Sequence, residues 1–159
     1  MTHSTIQRRL NHEVAYASFT TTNVTVSAGT VIPFASMTDL VGSSASSYSF
    51  SSGVITLPSG YWYMIKGQVQ VRFASQLGHI KYIWQDDADD SDLGRRGTLI
   101  MQEQPQLFGG DEIAMALIDC TSASKDVKLV VESLANVTNL NTSTDAAFAG
   151  GVRAELWRI

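Results

Sequence analysis

The stretch Leu57–Phe73, LPSGYWYMIKGQVQVRF, alternates apolar and polar side chains over most of its length. A side-chain period of two over so many residues predicts a long β-strand with one buried face and one solvent-facing side. The Pro-Ser-Gly near its start predicts a turn that leads into the strand. The buried face is expected to carry Tyr61, Tyr63, Ile65, Val69, Val71 and Phe73.

Shorter β-like segments continue from Val14 to the end of the chain, and turn residues separate them. This pattern of at least eight strands without an amphipathic helix predicts an all-β fold, a jelly-roll β-sandwich. The length of 159 residues suits one domain. We assign residues 13–159 to the jelly-roll domain and the polar residues 1–12 to an N-terminal arm, for which a disordered tail is the alternative.

Charge and hydropathy argue against two classes of partner. The net charge is −4 and the sequence pI is about 5.2, whereas nucleic-acid binding depends on clustered Lys and Arg, so we expect no nucleic acid. No stretch approaches 18 apolar residues, so we expect no membrane insertion. Residues 1–13 contain no apolar run typical of a signal peptide, which predicts assembly in the cytoplasm of the producing cell.

Catalytic motifs are missing from the sequence, and we expect a protein that is not an enzyme. His3, His12 and His79 lie far apart and show no metal-ligand spacing with Cys120. Cys120, the only cysteine, is predicted to be a small buried apolar residue. No Gly-x-Ser-x-Gly motif and no glycine-rich phosphate loop occurs.

An acidic loop offers the one candidate for a cofactor. Carboxylate oxygens are ligands that calcium prefers, but the loop lacks the glycine and terminal glutamate of an EF-hand in register. A solvated acidic loop is therefore the main interpretation and calcium the weaker one. The residues concerned are Asp86, Asp87, Asp89, Asp90 and Asp92.

Three segments in order resemble the tumour-necrosis-factor-like jelly roll, in the branch typified by the globular head of the first complement component. Ile55–Tyr63, ITLPSGYWY, is similar to the family's entry to a central strand, and Leu107–Ile113, LFGGDEI, to its Gly-Asp step. Phe148–Gly150, FAG, followed by Val152–Ile159, resembles the opening of its last strand. The resemblance spans about residues 14–159.

The resemblance implies a homotrimer in which three jelly rolls pack around a threefold axis through an apolar sheet face. The residues agree in part, because Ile113–Ile118 is apolar on both parities and needs cover on both faces. The opposite sheet supplies one cover; a neighbouring subunit or a loop would supply the other. The residues expected in the core or trimer strands are Tyr61, Trp62, Tyr63, Met115, Leu117, Phe148 and Trp157.

These features favour a trimeric decoration or cement protein on the outside of a bacteriophage head, located in the virion. Its partners would be itself and a viral capsid or tail protein. The alternative is a receptor-binding tip of a phage tail, in which loop aromatics such as Tyr48 and Phe50 bind host glycans or proteins; a secreted ligand domain is the third hypothesis. Docking onto an acidic partner is assigned to arm residues Ile6, Arg8, Arg9 and Leu10, with ordinary solvated charge as the alternative.

Overall fold

The computed structural model describes residues 11–17, 23–39, 48–73, 77–101, 108–141 and 152–159, and every regular element within these ranges is a β-strand. The all-β prediction is thus confirmed for the described chain. The arm residues Ile6, Arg8, Arg9 and Leu10 lie outside these ranges, as does Phe148.

The strands are β1 (Asn11–Ala17), β2 (Asn23–Thr25), β3 (Phe34–Asp39), β4 (Ser49–Ser51), β5 (Val54–Leu57), β6 (Trp62–Gln68), β7 (Val71–Phe73), β8 (Gly78–Asp86), β9 (Asp92–Met101), β10 (Phe108–Glu112), β11 (Ala114–Asp119), β12 (Lys125–Ala135), β13 (Val137–Asn141) and β14 (Arg153–Arg158).

One 11-stranded sheet runs in the order β3-β1-β14-β6-β11-β9-β8-β12-β5-β4, and β10 pairs with β9. We call β3-β1-β14-β6-β11 the β6 half and β9-β8-β12-β5-β4 the β8 half. Within the ranges given above, one register pair, Met115 with Arg95, joins the two halves. A second sheet has the order β2-β13-β7. All pairings between the named strands are antiparallel.

The sheet curls so that its two halves face each other across the core, as in a β-sandwich. Phe34 of the β6 half stacks on Trp84 of the β8 half with ring centroids 6.0 Å apart. Small residues accept these large rings, since a Cβ added at Gly67 would lie 3.2 Å from the Trp84 ring. A Cβ at Gly97 would collide with the ring of Tyr82. The core is therefore filled by large side chains opposite glycine and alanine.

The corner between the two halves depends on Gly94 in β9. Its φ of +71° lies in the left-handed region that side chains other than glycine rarely adopt. An added Cβ would overlap the carbonyl oxygen of Met115 and lie 2.7 Å from the Cα of Ala116. The backbones of β9 and β11 can approach closely only because position 94 has no side chain.

The predicted long strand is wrong in one respect, because it is two strands. β6 ends at Gln68, and β7 begins at Val71 in the smaller sheet. The predicted parity is confirmed for Tyr63, Ile65 and Val69, which are all buried. Tyr61 is exposed instead, because it precedes β6 and follows Gly60, whose φ of +96° turns the chain there.

The described part of the chain includes no helix that is both long and apolar enough to cross a membrane.

Replacing Gly94 with alanine should destabilise the fold strongly, because strain at positive φ adds to a backbone overlap. We expect a loss of about 3 kcal/mol or more in the free energy of unfolding. Gly60→Ala is the matched control, since φ is also positive but nothing lies within 4 Å of the added Cβ. That control should cost only about 1 kcal/mol. Chemical denaturation of both variants measures the difference, and equal losses would contradict the proposed crowding at Gly94.

Candidate functional site

The outer face of the β6 half carries a contiguous apolar surface. Strand alternation turns Tyr63 and Ile65 into the core and leaves every second residue of β6, β11 and β14 pointing outward. Met64 lies opposite Leu117 on one neighbouring strand and opposite Trp157 on the other. We define the β6 outer face by its apolar members, which are Trp62, Met64, Met115, Leu117, Trp157 and Ile159.

The members of this face differ in exposure. Leu117 is 61% exposed, Ile159 54%, Trp62 40% and Met115 38%. Ile159 is held beside Trp62 by two backbone hydrogen bonds, in which each residue donates its N–H to the carbonyl of the other. Isolated exposed apolar residues are ordinary, but a contiguous group on a rigid sheet is typical of an interaction surface.

Charged side chains border the apolar centre. The Lys66 ammonium lies 3.9 Å from the ring centroid of Trp157, within range of a cation–π contact. At the end of the same strands, on the parity of Tyr63, Arg158 makes a similar contact with Tyr61 at 4.5 Å. Glu155 lies opposite Lys66 in the strand register and pairs with Arg153 at 3.2 Å. An apolar centre with a charged border is the usual composition of a protein interface.

The residues predicted for the core and trimer strands divide between two environments. Tyr63 is fully buried in the core, whereas Trp62, Met115 and Leu117 lie on the outer face. Trp157 is half-buried there. In β11, burial alternates residue by residue, so the opposite half covers one side of the strand. No described segment covers the other side at Leu117.

Sequence reasoning missed several members of this surface. Ile159 and the cation Lys66 were not assigned to it, and neither was Arg158 at the end of β14. The alternation of side chains could have predicted two of them. Lys66 follows Trp62 and Met64 at intervals of two residues, and Ile159 follows Trp157 at the same interval. The contact of Arg158 with Tyr61 depends on the pairing of β14 with β6, which the local sequence does not specify.

The acidic loop between β8 and β9 is organised around a lysine. The Lys128 ammonium of β12 lies 2.9 Å from a carboxylate oxygen of Asp87 and 2.6 Å from one of Asp90. These hydrogen bonds raise the pKa of Lys128 above its ordinary value, the one with Asp87 having the larger effect. Asp86 accepts a hydrogen bond from the Ala88 N–H at 3.0 Å. The turn is therefore held by its own contacts and by β12.

The remaining aspartates of the loop also have protein partners. Asp89 accepts a hydrogen bond from the Ser91 N–H at 3.0 Å, and hydrogen bonds from Ser91 lower its pKa. Asp92 pairs with Arg96 at 2.9 Å. Within the described ranges, no three His, Cys, Asp or Glu side chains are grouped so that they could hold a metal ion. Calcium binding by this loop stays a prediction.

A second charged cluster crosses the outer face of the β8 half. The Arg96 Nε on β9 donates to both carboxylate oxygens of Glu132 on β12, at 2.8 and 2.7 Å. The pair spans the intervening strand β8, in which Ile83 is buried. The ion pair of Arg96 and Glu132 therefore leaves this surface charged and covers β8.

Three other sequence-based expectations can be placed. Cys120 is fully buried, as predicted, and burial raises the pKa of its thiol. Tyr48 and Phe50, assigned to receptor contact in the alternative hypothesis, are not loop aromatics free for such contact. Tyr48 is buried, and its ring lies edge-on to that of Tyr63 with centroids 6.1 Å apart. Phe50, in β4, packs against the core. Both side chains therefore anchor the chain to the sandwich.

Comparison with known proteins adds no family: the sequence matches no family model and no curated protein.

Removing the Lys128 ammonium should loosen the acidic loop. Lys128→Met leaves Asp87 and Asp90 without their cation, and we expect a loss of about 0.5–1 kcal/mol in unfolding free energy, in the range of solvent-screened pairs. Lys125→Met is the matched control, because that lysine makes only a 3.7 Å contact with Asp86. It should cost less.

The pH dependence of this contribution follows from the raised pKa of Lys128. A raised folded-state pKa stabilises the fold below the unfolded value of about 10.4, and the stabilisation disappears as pH rises through the folded value. Urea unfolding at pH 7 and above pH 10 measures the difference between the variants. Equal losses for both variants at pH 7 would contradict the role given to Lys128.

Proposed function

We propose that this chain is a non-enzymatic virion protein, a homotrimer that decorates or cements the outer surface of a bacteriophage head. The β6 outer face is the single observation that carries the assembly part of this proposal. The phage head itself comes from the sequence argument, which favoured a compact trimeric jelly roll with a short arm. The virion would be its final location, after assembly in the host cytoplasm.

Self-association is the simplest way to cover the β6 outer face. Leu117 is more exposed than any other large apolar side chain of the described residues, and it has Met64 beside it in register. Burying apolar surface contributes roughly 25 cal/mol per Å², so a second copy that covers this row gains free energy. Closed symmetric oligomers are the usual result when identical chains associate. The resemblance selects three copies.

A jelly-roll topology is supported by the way the chain passes between the two halves. β5 belongs to the β8 half and β6 to the β6 half; β8 and β9 return to the first, and β11 to the second. β12 and β14 repeat the alternation. Repeated crossing between two facing sheets is typical of jelly rolls, which are double-sheet folds.

Attachment to a shell is assigned to the arm, as the sequence suggested. Ile6, Arg8, Arg9 and Leu10 would dock on an acidic capsid surface through two cations flanked by two apolar residues. A trimer presents three such arms. After the first arm binds, the other two are held near the shell at high effective concentration. The trimer would therefore bind more tightly than a single arm does.

Placing a charge on the β6 outer face should break the trimer. Leu117→Asp would bury an unpaired carboxylate in the interface, so we expect light scattering to give the mass of one chain, 17.2 kDa, rather than three times that mass. The matched control is Ile100→Asp, which places the same charge at an exposed apolar position on the β8 half. That variant should keep the mass of the unmodified protein. A monomeric unmodified protein would overturn the trimer.

The location in the virion needs a separate measurement. Immunogold electron microscopy of purified particles from the source of the chain should place the label on the outer surface of the heads. Label confined to tails would instead favour the receptor-binding alternative. Particles without label would contradict both proposals, whatever the oligomeric state.

A further inference from the structure

Two of the exposed apolar residues lie away from the β6 outer face. Seven large apolar side chains are exposed among the described residues, and five of them lie on that face or at its edge. The other two, Leu77 (51% exposed) and Ile100 (39%), lie on the opposite side of the sandwich. Both line one open groove of about 430 Å³, which we call the His79 groove. A volume of this size suits a small ligand.

Paired strands build the floor of the His79 groove. His79 lies opposite Ile100 and Lys81 opposite Thr98 in the pairing of β8 with β9, and all four side chains line the groove. Asn136, which has a φ of +54°, donates its side-chain amide to the carbonyl oxygen of Leu77 at 2.6 Å. This hydrogen bond ties the end of β12 to the start of β8. Most of the lining therefore sits on the sheet, and this hydrogen bond joins Leu77 and Asn136 just outside the strand ends.

The electrostatics of the groove are one-sided. Lys81 and His79 are its ionisable members, and none of the described lining residues is acidic. Lys81 makes no ion pair within the described part of the chain. Glu132, on the same face of β12, is already held by both hydrogen bonds from Arg96. The described lining thus offers an anionic ligand one exposed ammonium beside apolar side chains and no acidic group.

We propose that the His79 groove binds a small carboxylate with an apolar tail. The carboxylate would accept a charge-assisted hydrogen bond from the Lys81 ammonium and a second bond from the Thr98 hydroxyl. The tail would lie on Leu77 and Ile100 and remove their apolar surface from water. This site is separate from the β6 outer face, so it does not depend on the proposed trimer.

Methyl-labelled full-length protein tests the proposal by NMR, with hexanoate as the probe. We expect saturable shifts of the Ile100 and Leu77 methyl signals at millimolar hexanoate, while the Leu117 and Ile159 signals stay in place. Hexan-1-ol and hexylamine have six carbons like hexanoate but no carboxylate, and they should bind at least about tenfold more weakly. Shifts of equal size on both faces would mean nonspecific apolar binding and would overturn the proposal.

Variants of two lysines on opposite faces complete the test. Lys81→Gln should weaken hexanoate binding about tenfold, because the amide keeps the shape of the side chain but not its charge. Lys66→Gln, on the β6 outer face, should leave the affinity unchanged. Both are surface substitutions, and the methyl spectrum reports whether each variant is folded. Unchanged affinity in Lys81→Gln, or no saturable shift of Ile100 and Leu77, would overturn the proposal.

Discussion

The close approach of β9 and β11 is the constraint on which the rest of the structure depends. Among the described residues, Met115 and Arg95 form the only register pair between the two halves, and Gly94 makes room for it by having no side chain. A sheet that bends here can turn one surface of β11 inward against the β8 half. The same bend leaves the other surface of β11, with Leu117, at the outside. One surface of β11 therefore contributes to the core, and its opposite surface contributes to the candidate interface.

The two outer faces of the sandwich have different chemistry. The β6 half presents a row of apolar residues, Leu117, Met64 and Trp157, whereas the β8 half presents the cross-strand pair of Arg96 and Glu132. Charges held by partners within the chain resist burial against another surface, because desolvating them is costly. Apolar rows have no such cost. This asymmetry is why we assign self-association to one face and only a small ligand groove to the other.

Local sequence predicted the class of fold and the parity of β6, because a period of two needs no knowledge of partners. It could not predict the break after Gln68, since Val69 and Val71 continue the same alternation while β7 joins another sheet. Nor could it separate Met115 and Leu117 from their buried neighbours, because exposure depends on which strands lie across the core. The local sequence also could not predict the His79 groove, because the groove arises from pairing between β8 and β9.

Gly97 and Tyr82 illustrate how tightly the core couples distant positions. The tyrosine ring occupies the space that a side chain at position 97 would need, and its hydroxyl donates to the carbonyl of Glu112 at 3.1 Å. Contacting positions of this kind are not additive in their effects on stability. A side chain at 97 would also lie 2.7 Å from the backbone nitrogen of Ala114, which a smaller residue at 82 does not move. In the evolution of this chain, position 97 should therefore stay glycine even where residue 82 changes.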